Sequence, residues 1–131
     1  MTSFVLIWKY FLGIDHEPAP GEIEKIFNGF DRVIVDGPAT GCMQYLPHGV
    51  AFLHLCVIRG RPGDAMRTLF RCIGQAKEDG IRKVVCPISS GNPTLRVGPK
   101  HRLGFELEGV LKQQTKVDGD YRDLYLYSKF I

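Results

Sequence analysis

The nine residues from Val50 to Ile58 constrain the fold more than any other part of the chain. They are apolar at every position except His54. A strand with apolar side chains on both faces must be covered on both, which places it in the middle of a sheet. Arg59-Gly60-Arg61-Pro62-Gly63 follows, and then a segment from Asp64 to Glu78 with helical periodicity. Ala65, Met66, Leu69, Cys72, Ile73 and Ala76 form its buried side, with Arg67, Arg71 and Lys77 outside. Asp64 is the expected N-cap and Asp79-Gly80 the stop. Lys83 to Ile88 reads as a second buried strand. Strand, glycine loop, helix and strand together make a parallel crossover unit, which chirality makes right-handed.

The flanking segments read as antiparallel additions. Phe4 to Phe11 is expected to be an edge strand, followed by a Pro-rich turn and a short helix that stops at Asn28-Gly29. Arg32 to Val35 and Cys42 to Leu46 read as strands ended by Asp36-Gly37-Pro38 and Pro47-His48-Gly49. Asn92 to Leu103 is interrupted by Pro93, Gly98 and Pro99, so a short or broken helix is expected there. Phe105 to Lys116 and Tyr121 to Phe130 flank Asp118-Gly119-Asp120, a strong hairpin signal. The class that results is α/β in the broad (α+β) sense, with a mixed, mostly antiparallel twisted sheet. No repeat or linker divides the 131 residues, so one domain is expected over 1–131.

Composition excludes several alternatives. Apolar residues make up 44% and charged residues 24%, a globular balance. The apolar run at the start, Phe4 to Trp8, is about a quarter of a membrane span, and no basic cap and cleavage site mark a secretion signal. The chain is therefore expected to work in the cytoplasm, with no membrane partner. A net charge of +3 permits an anionic ligand but lacks the dense basic stripe of nucleic-acid binders. The cysteines at 42, 56, 72 and 86 form no close pair, so no metal site is expected and they read as buried small hydrophobes.

The loop after the central strand carries chemistry of its own. A glycine turn at a helix start presents unpaired amides where the helix dipole also favours an anion, and Arg59 and Arg61 can add charge-assisted bonds. A tight solvent turn with two solvated arginines is the alternative, and the carboxylate of Asp64 would oppose an anion.

Several ordered features of the second half resemble the GCN5-related N-acetyltransferase superfamily, over about Val50 to Ile131. They are Leu103-Gly104-Phe105 with Glu108-Gly109 a few residues on, the hairpin reaching Tyr121-Arg122-Asp123 with its aromatic strand, and Asn92 about a dozen residues before Gly104. The resemblance implies an acyl-coenzyme A N-acyltransferase fold with a reduced amino-terminal part. It also implies acetyl-coenzyme A as cofactor, with Cys56, Ile58, Arg59, Gly60, Arg61, Gly63, Asp64, Ala65 and Asn92 as binding residues, and an amine as acceptor. Gly63-x-Ala65 fits the end of the family's phosphate loop, while Gly60 stands where a basic residue is usual. The chain also resembles small bacteriophage proteins of this type, which implies a place in the host cytoplasm or the virion and a protein partner in a larger assembly.

Acetyl transfer needs deprotonation of the amine, stabilisation of the carbonyl oxygen and a proton for the departing thiolate. His54 is the ionisable residue on the central strand and the candidate catalytic base, with a packed wall histidine as the alternative. No tyrosine lies between Gly91 and Gly104, where the family places its thiolate acid; Lys100 and His101 stand there instead. Two functional readings follow: an acetyl-coenzyme A-dependent N-acetyltransferase, or a non-catalytic structural or interaction protein that keeps the fold.

Overall fold

A computed structural model describes residues 21, 25, 27–36, 39–57, 62–90, 104–117 and 119–131. The expected strand at Phe4 to Phe11 and the broken helix at Asn92 to Leu103 lie outside these residues. Of the short helix, Lys25, Phe27 and Asn28 are helical, and Gly29 N–H bonds to the Lys25 carbonyl at 3.1 Å, at the expected stop.

Six strands form one sheet: β1 (Arg32–Asp36), β2 (Ala39–Leu46), β3 (Val50–Val57), β4 (Lys83–Ser89), β5 (Glu106–Val117) and β6 (Asp120–Phe130). Their order is β1-β2-β3-β4-β6-β5, with β3–β4 parallel and every other pair antiparallel. One helix, α1 (Pro62–Glu78), crosses between the two parallel strands. The mixed, mostly antiparallel sheet is thus the one the central apolar run requires.

The helix opens two residues earlier than expected, which corrects the assignment of Asp64 as N-cap. Pro62 takes the first position, where its fixed φ suits the helix and its missing N–H is no loss. Asp64 falls inside the first turn. The far end closes as anticipated: Gly80 has φ +83°, its N–H bonds to the Lys77 carbonyl at 3.1 Å, and Ile81 N–H reaches the Ala76 carbonyl at 2.9 Å. This paired closure takes up the last carbonyls, and Ile81 enters the core alongside Ala76.

Strand β2 begins three residues before the expected Cys42. Ala39 and Gly41 have weak strand propensity, yet both pair with β1 and with β3. Their small size is what the site requires, because a Cβ on Gly41 would lie 2.3 Å from Cys72 Sγ of α1. Close approach of helix to sheet has overridden local preference here.

The core lies between α1 and one face of the sheet, where Leu69, Cys72, Ile73 and Ala76 meet Met43, Ala51, Leu53, Val84, Cys86 and Ile88. Thr68 is also fully buried on the helix, whereas Phe70 is half exposed. Cys42, Cys72 and Cys86 are buried, and burial pushes the Cys72 thiol up to about 12 and that of Cys86 upward as well. Thiols so placed behave as small hydrophobes, as their spacing suggests.

The β5–β6 hairpin turns on Gly119, at φ +83°, and carries two irregularities. The larger sets Lys112, Gln113 and Gln114 against the single residue Asp123. The Asp123 carboxylate accepts the Gln113 N–H at 2.9 Å, where Gln113 has φ +50°, and pairs with Lys112 Nζ at 3.3 Å. Those contacts lower its pKa, the Gln113 amide contributing most. Its main chain exchanges bonds with Ser90, at 2.8 Å from Ser90 N–H and 3.2 Å to Ser90 Oγ. Asp123 therefore holds the bulge to the end of β4.

Candidate active site in the gap between the parallel strands

The parallel pair is short. Its register is Val50↔Lys83, Ala51↔Val84 and Phe52↔Val85, and there it stops, although β3 runs on to Val57 and β4 to Ser89. Beyond that point β3 stays with β2 as far as Ala39↔Val57, and β4 stays with β6 as far as Ser89↔Leu124. The sheet divides at its middle into a β1-β2-β3 leaf and a β4-β6-β5 leaf.

The ladder itself accounts for the break. The Gly49 carbonyl accepts from Lys83 N–H at 3.2 Å and from Arg82 N–H at 2.7 Å. From that start the parallel pattern alternates: Lys83 carbonyl to Ala51 N–H, Ala51 carbonyl to Val85 N–H, Val85 carbonyl to Leu53 N–H. The next rung requires an N–H on residue 87. That residue is Pro87, which has none. Proline is tolerated only on a strand edge that needs no donor, and the β3-facing side of β4 becomes such an edge from this residue onward.

The period of two then assigns the main-chain groups. Leu53, Leu55 and Val57 on β3, with Pro87 and Ser89 on β4, direct theirs toward the gap. Among the described residues no strand pairs with β3 on that side beyond Phe52. Buried main-chain donors and acceptors need partners, so such an edge is a natural receptor for a ligand carrying amides. β3 ends at this open end with Val57 and α1 begins at Pro62, so the 17-residue helix starts on the same side.

The residues singled out from sequence distribute around this gap. Cys56 lies on β3 in its splayed part, and Gly63, Asp64 and Ala65 form the first turn of α1. Ile58, Arg59, Gly60, Arg61 and Asn92 lie outside the described residues. His54 is in the splayed part of β3, opposite Cys42. It is one residue out of phase with Leu53, so its side chain lies on the face away from α1, edge-on to Phe30 at 5.7 Å between ring centres. Burial lowers its pKa from 6.5 to about 4, so the imidazole is neutral at physiological pH. Tyr125 and Tyr127 share the opposite face, paired with Ile88 and Cys86.

Pro87 is a residue of this gap that composition and periodicity do not single out. Its signal in the sequence is a proline inside an apolar run that otherwise reads as a central strand. Among the described residues no cluster of three or more His, Cys, Asp or Glu could hold a metal ion, and no helix is long and apolar enough to cross a membrane.

A six-stranded mixed sheet, split between two parallel strands with a helix crossing over them, is the fold of GCN5-related N-acetyltransferases. Comparison with solved structures bears this out. The ribosomal-protein-S18-alanine N-acetyltransferase of Escherichia coli superposes with a TM-score of 0.70 over 98% of this chain and 84% of its own, at 14% identity. A ribosomal-protein-alanine N-acetyltransferase of Brucella melitensis gives 0.62 over 76% of this chain and 67% of its own, at 23% identity. An N-acetyltransferase of Staphylococcus aureus gives 0.62 at 21% identity, over 75% of this chain and 65% of its own. No family model and no curated protein matches the sequence.

Proposed function

We propose that this chain binds acetyl-coenzyme A in the gap between β3 and β4 and transfers the acetyl group to an amine. The observation that carries the reading is the interrupted parallel ladder, which leaves the main chain of Leu55 and Val57 facing an opening beside the start of α1. The pantetheine arm of coenzyme A is a chain with two amides, and it suits an unpaired strand edge in the way an added strand does. The first turn of α1, with Gly63 and Ala65 and no bulky side chain at either, offers amides and a positive dipole end to the pyrophosphate. Arg59 and Arg61 supply charge in the same segment, against which Asp64 acts.

An N–H of Leu55 or Val57 polarises the acetyl carbonyl in this reading, as a main-chain donor aimed at developing charge. His54 takes the role of base, directly or through a water. A pKa of about 4 makes it a weak base, so its contribution to rate is small and turnover is slow. The cytoplasm, where the thioester and its amine acceptor meet, belongs with the same proposal. The acceptor is the amine of a small molecule or of a peptide.

The test has two stages. Titration calorimetry with acetyl-coenzyme A should give a dissociation constant in the micromolar range or weaker, and Arg61→Ala should raise it by roughly tenfold, as loss of a charge-assisted phosphate contact does. Coenzyme A release is then followed over a panel of small amines and peptides from pH 6 to pH 9. With His54 as base the rate is flat across that range for wild type, because the imidazole is already neutral, and Gln at position 54 lowers it. A rate that climbs with pH and ignores the substitution assigns the reaction to amine already deprotonated in solution. No heat and no competition by coenzyme A at millimolar concentration overturns the proposal and leaves a binding or structural protein of the same fold.

A further inference from the structure

The outer face of α1 carries a shallow apolar hollow at Met66 and Phe70, and the β5 edge presents Leu107 and Leu111 to solvent. Neither comes with anything that says what covers it, and the β5 edge is blunted by two bulges. At the branch point of the sheet, by contrast, the register identifies what a single residue does.

We infer that Pro87 is the positioning residue of the site: by withholding one main-chain N–H it stops the β3–β4 ladder at Leu53 and so keeps the coenzyme-binding gap open. The inference deepens the proposed function and rests on it for the identity of the ligand, but its structural half stands alone. Three observations converge on this residue. The parallel register ends at Phe52↔Val85, and the next bond would run from residue 87 to the Leu53 carbonyl. Pro87 nevertheless stays in register with Leu126 on its other side, because an antiparallel strand bonds to β6 through alternate residues, and Val84, Cys86 and Ile88 supply those groups. Finally, Pro87 is buried rather than at a turn, so it is not there to end the strand; β4 continues through Ile88 and Ser89.

One residue therefore has opposite effects on its two sides. Toward β6 the ladder is untouched. Toward β3 a donor is missing at the rung where the strands must either zip further or part. Any other residue at this position offers Leu53 its partner, and the rungs that would follow, from residue 87 to Leu55 and from Leu55 to Ser89, would occupy the main-chain groups left to the ligand. The gap is thus specified by the absence of one hydrogen atom, and Leu55 and Val57 are left to whatever brings amides to them.

The experiment compares the full-length wild type with Pro87→Val and Pro87→Ala, the first keeping bulk and strand preference, the second removing side-chain bulk. Amide hydrogen exchange read by NMR reports the ladder directly and needs no ligand. In wild type the Leu55 and Val57 amides should exchange at least tenfold faster than those of His54 and Cys56, which face β2. In both variants the new residue 87 amide and that of Leu55 should become protected, and the melting temperature should hold or rise. Acetyl-coenzyme A affinity should fall by tenfold or more. A proline with a merely structural role predicts the reverse: lower melting temperature and an unprotected amide at 87. Protection of Leu55 equal to that of His54 in wild type overturns the inference even if neither variant folds, as does an exposed 87 amide in a folded variant. If wild type itself ignores acetyl-coenzyme A while the exchange pattern appears as stated, the ligand assignment fails and the role of Pro87 stands.

Discussion

The two ends of the central strand pair are built in opposite ways. Where β3 begins, main-chain groups are taken up in number: the Gly49 carbonyl receives two amide protons, Arg82 Nε donates to the His48 carbonyl at 2.7 Å, and Ile131 N–H closes on the Arg82 carbonyl at 2.9 Å. Close by, Asp79 collects Arg32 through two bonds of 2.8 and 2.9 Å, the Tyr45 hydroxyl and Gln75 Nε2. Where β3 ends, the ladder to β4 is missing and the leaf is held by β2 and by the helix above it. Along the β3–β4 seam the closed end is fastened by hydrogen bonds, whereas the open end is held by the outer ladders of each leaf, by packing and by the Arg67–Asp36 bond at 3.0 Å. A ligand site at the open end therefore costs the fold little of its directional bonding, and the two ends should fail for different reasons.

The largest effect should come from testing packing at the open end. Gly41 pairs with Leu55 and lies directly beneath α1, so Gly41→Ala drives a methyl group against Cys72 Sγ at 2.3 Å. Either the helix lifts or the sulfur rotates, and a cost of about 3 kcal/mol is expected, at the upper end for an overpacked core. Denaturant unfolding measures it. Adding Cys72→Ala removes the atom in the way, so the double variant should be less destabilised than the sum of the two single ones. Strict additivity would show that α1 does not press on Gly41.

His54 sets the pH response of the same end. Its folded pKa, about 4, lies below the ordinary 6.5, so between those values the unfolded chain binds a proton that the folded chain does not. Stability is complete above about pH 6.5 and is lost as pH falls toward 4, by up to roughly 3 kcal/mol at 1.36 kcal/mol per unit of pKa difference. Unfolding followed from pH 7 to pH 4 should show this slope, and Gln in place of His54 should flatten it. An unchanged slope in the variant would assign it to other groups.

How much of this was legible depends on whether the cause is local. Val50 to Ile58, the amphipathic helix, and Asp118-Gly119 fix the sheet's centre, its crossover and its terminal hairpin, because apolar period and turn chemistry act over a few residues. Ala39 and Gly41 read poorly for the opposite reason: what requires a glycine at 41 is a helix residue 31 positions further along, Cys72, and what makes the segment strand is its pairing with β1 and β3. Of the proposed site, the placement of its residues on the fold is legible only in part. Gly63, Asp64 and Ala65 do fall at a helix start and Cys56 on the splayed strand, but what opens the gap is Pro87. Its meaning appears only once the register shows that the absent donor would face β3 rather than β6.

At the closed end a smaller loss is expected from Gly49→Ala. Gly49 has φ +76°, in the left-handed region, and an added Cβ would sit 3.2 Å from Arg82 Cγ and 3.3 Å from the Gly80 carbonyl oxygen. The backbone conformation alone costs about 1 to 2 kcal/mol for a residue with a side chain. Because the Gly49 carbonyl begins the ladder, some additional loss of protection should appear at the Arg82 and Lys83 amides in hydrogen exchange. If those amides are unaffected and the stability unchanged, the closed end does not depend on this turn.

The smallest effect separates charge from hydrogen bonding at that same end. Bonds from Arg32 first and Tyr45 next hold the Asp79 carboxyl down to about 2, below its ordinary 3.8. A carboxyl with a depressed folded pKa stabilises the fold above its unfolded pKa, and that contribution disappears as pH falls through 3.8 toward about 2. Asp79→Asn keeps the size of the side chain and a carbonyl acceptor but removes the charge from a pair that is largely solvent-accessible on the Arg32 side. At pH 7 the melting temperature should drop only slightly, since exposed ion pairs contribute little. As pH falls from 3.8 toward about 2 wild type and variant should converge, because the unfolded wild-type chain then takes up a proton that the folded carboxyl does not. The Tyr45 hydroxyl gives a second readout: its pKa stands near 12, burial being the larger cause and the Asp79 bond the next, so the substitution should lower the midpoint of its ultraviolet titration without returning it to 10. A midpoint that stays near 12 would assign the whole shift to burial and remove Asp79 from the fastening of the closed end.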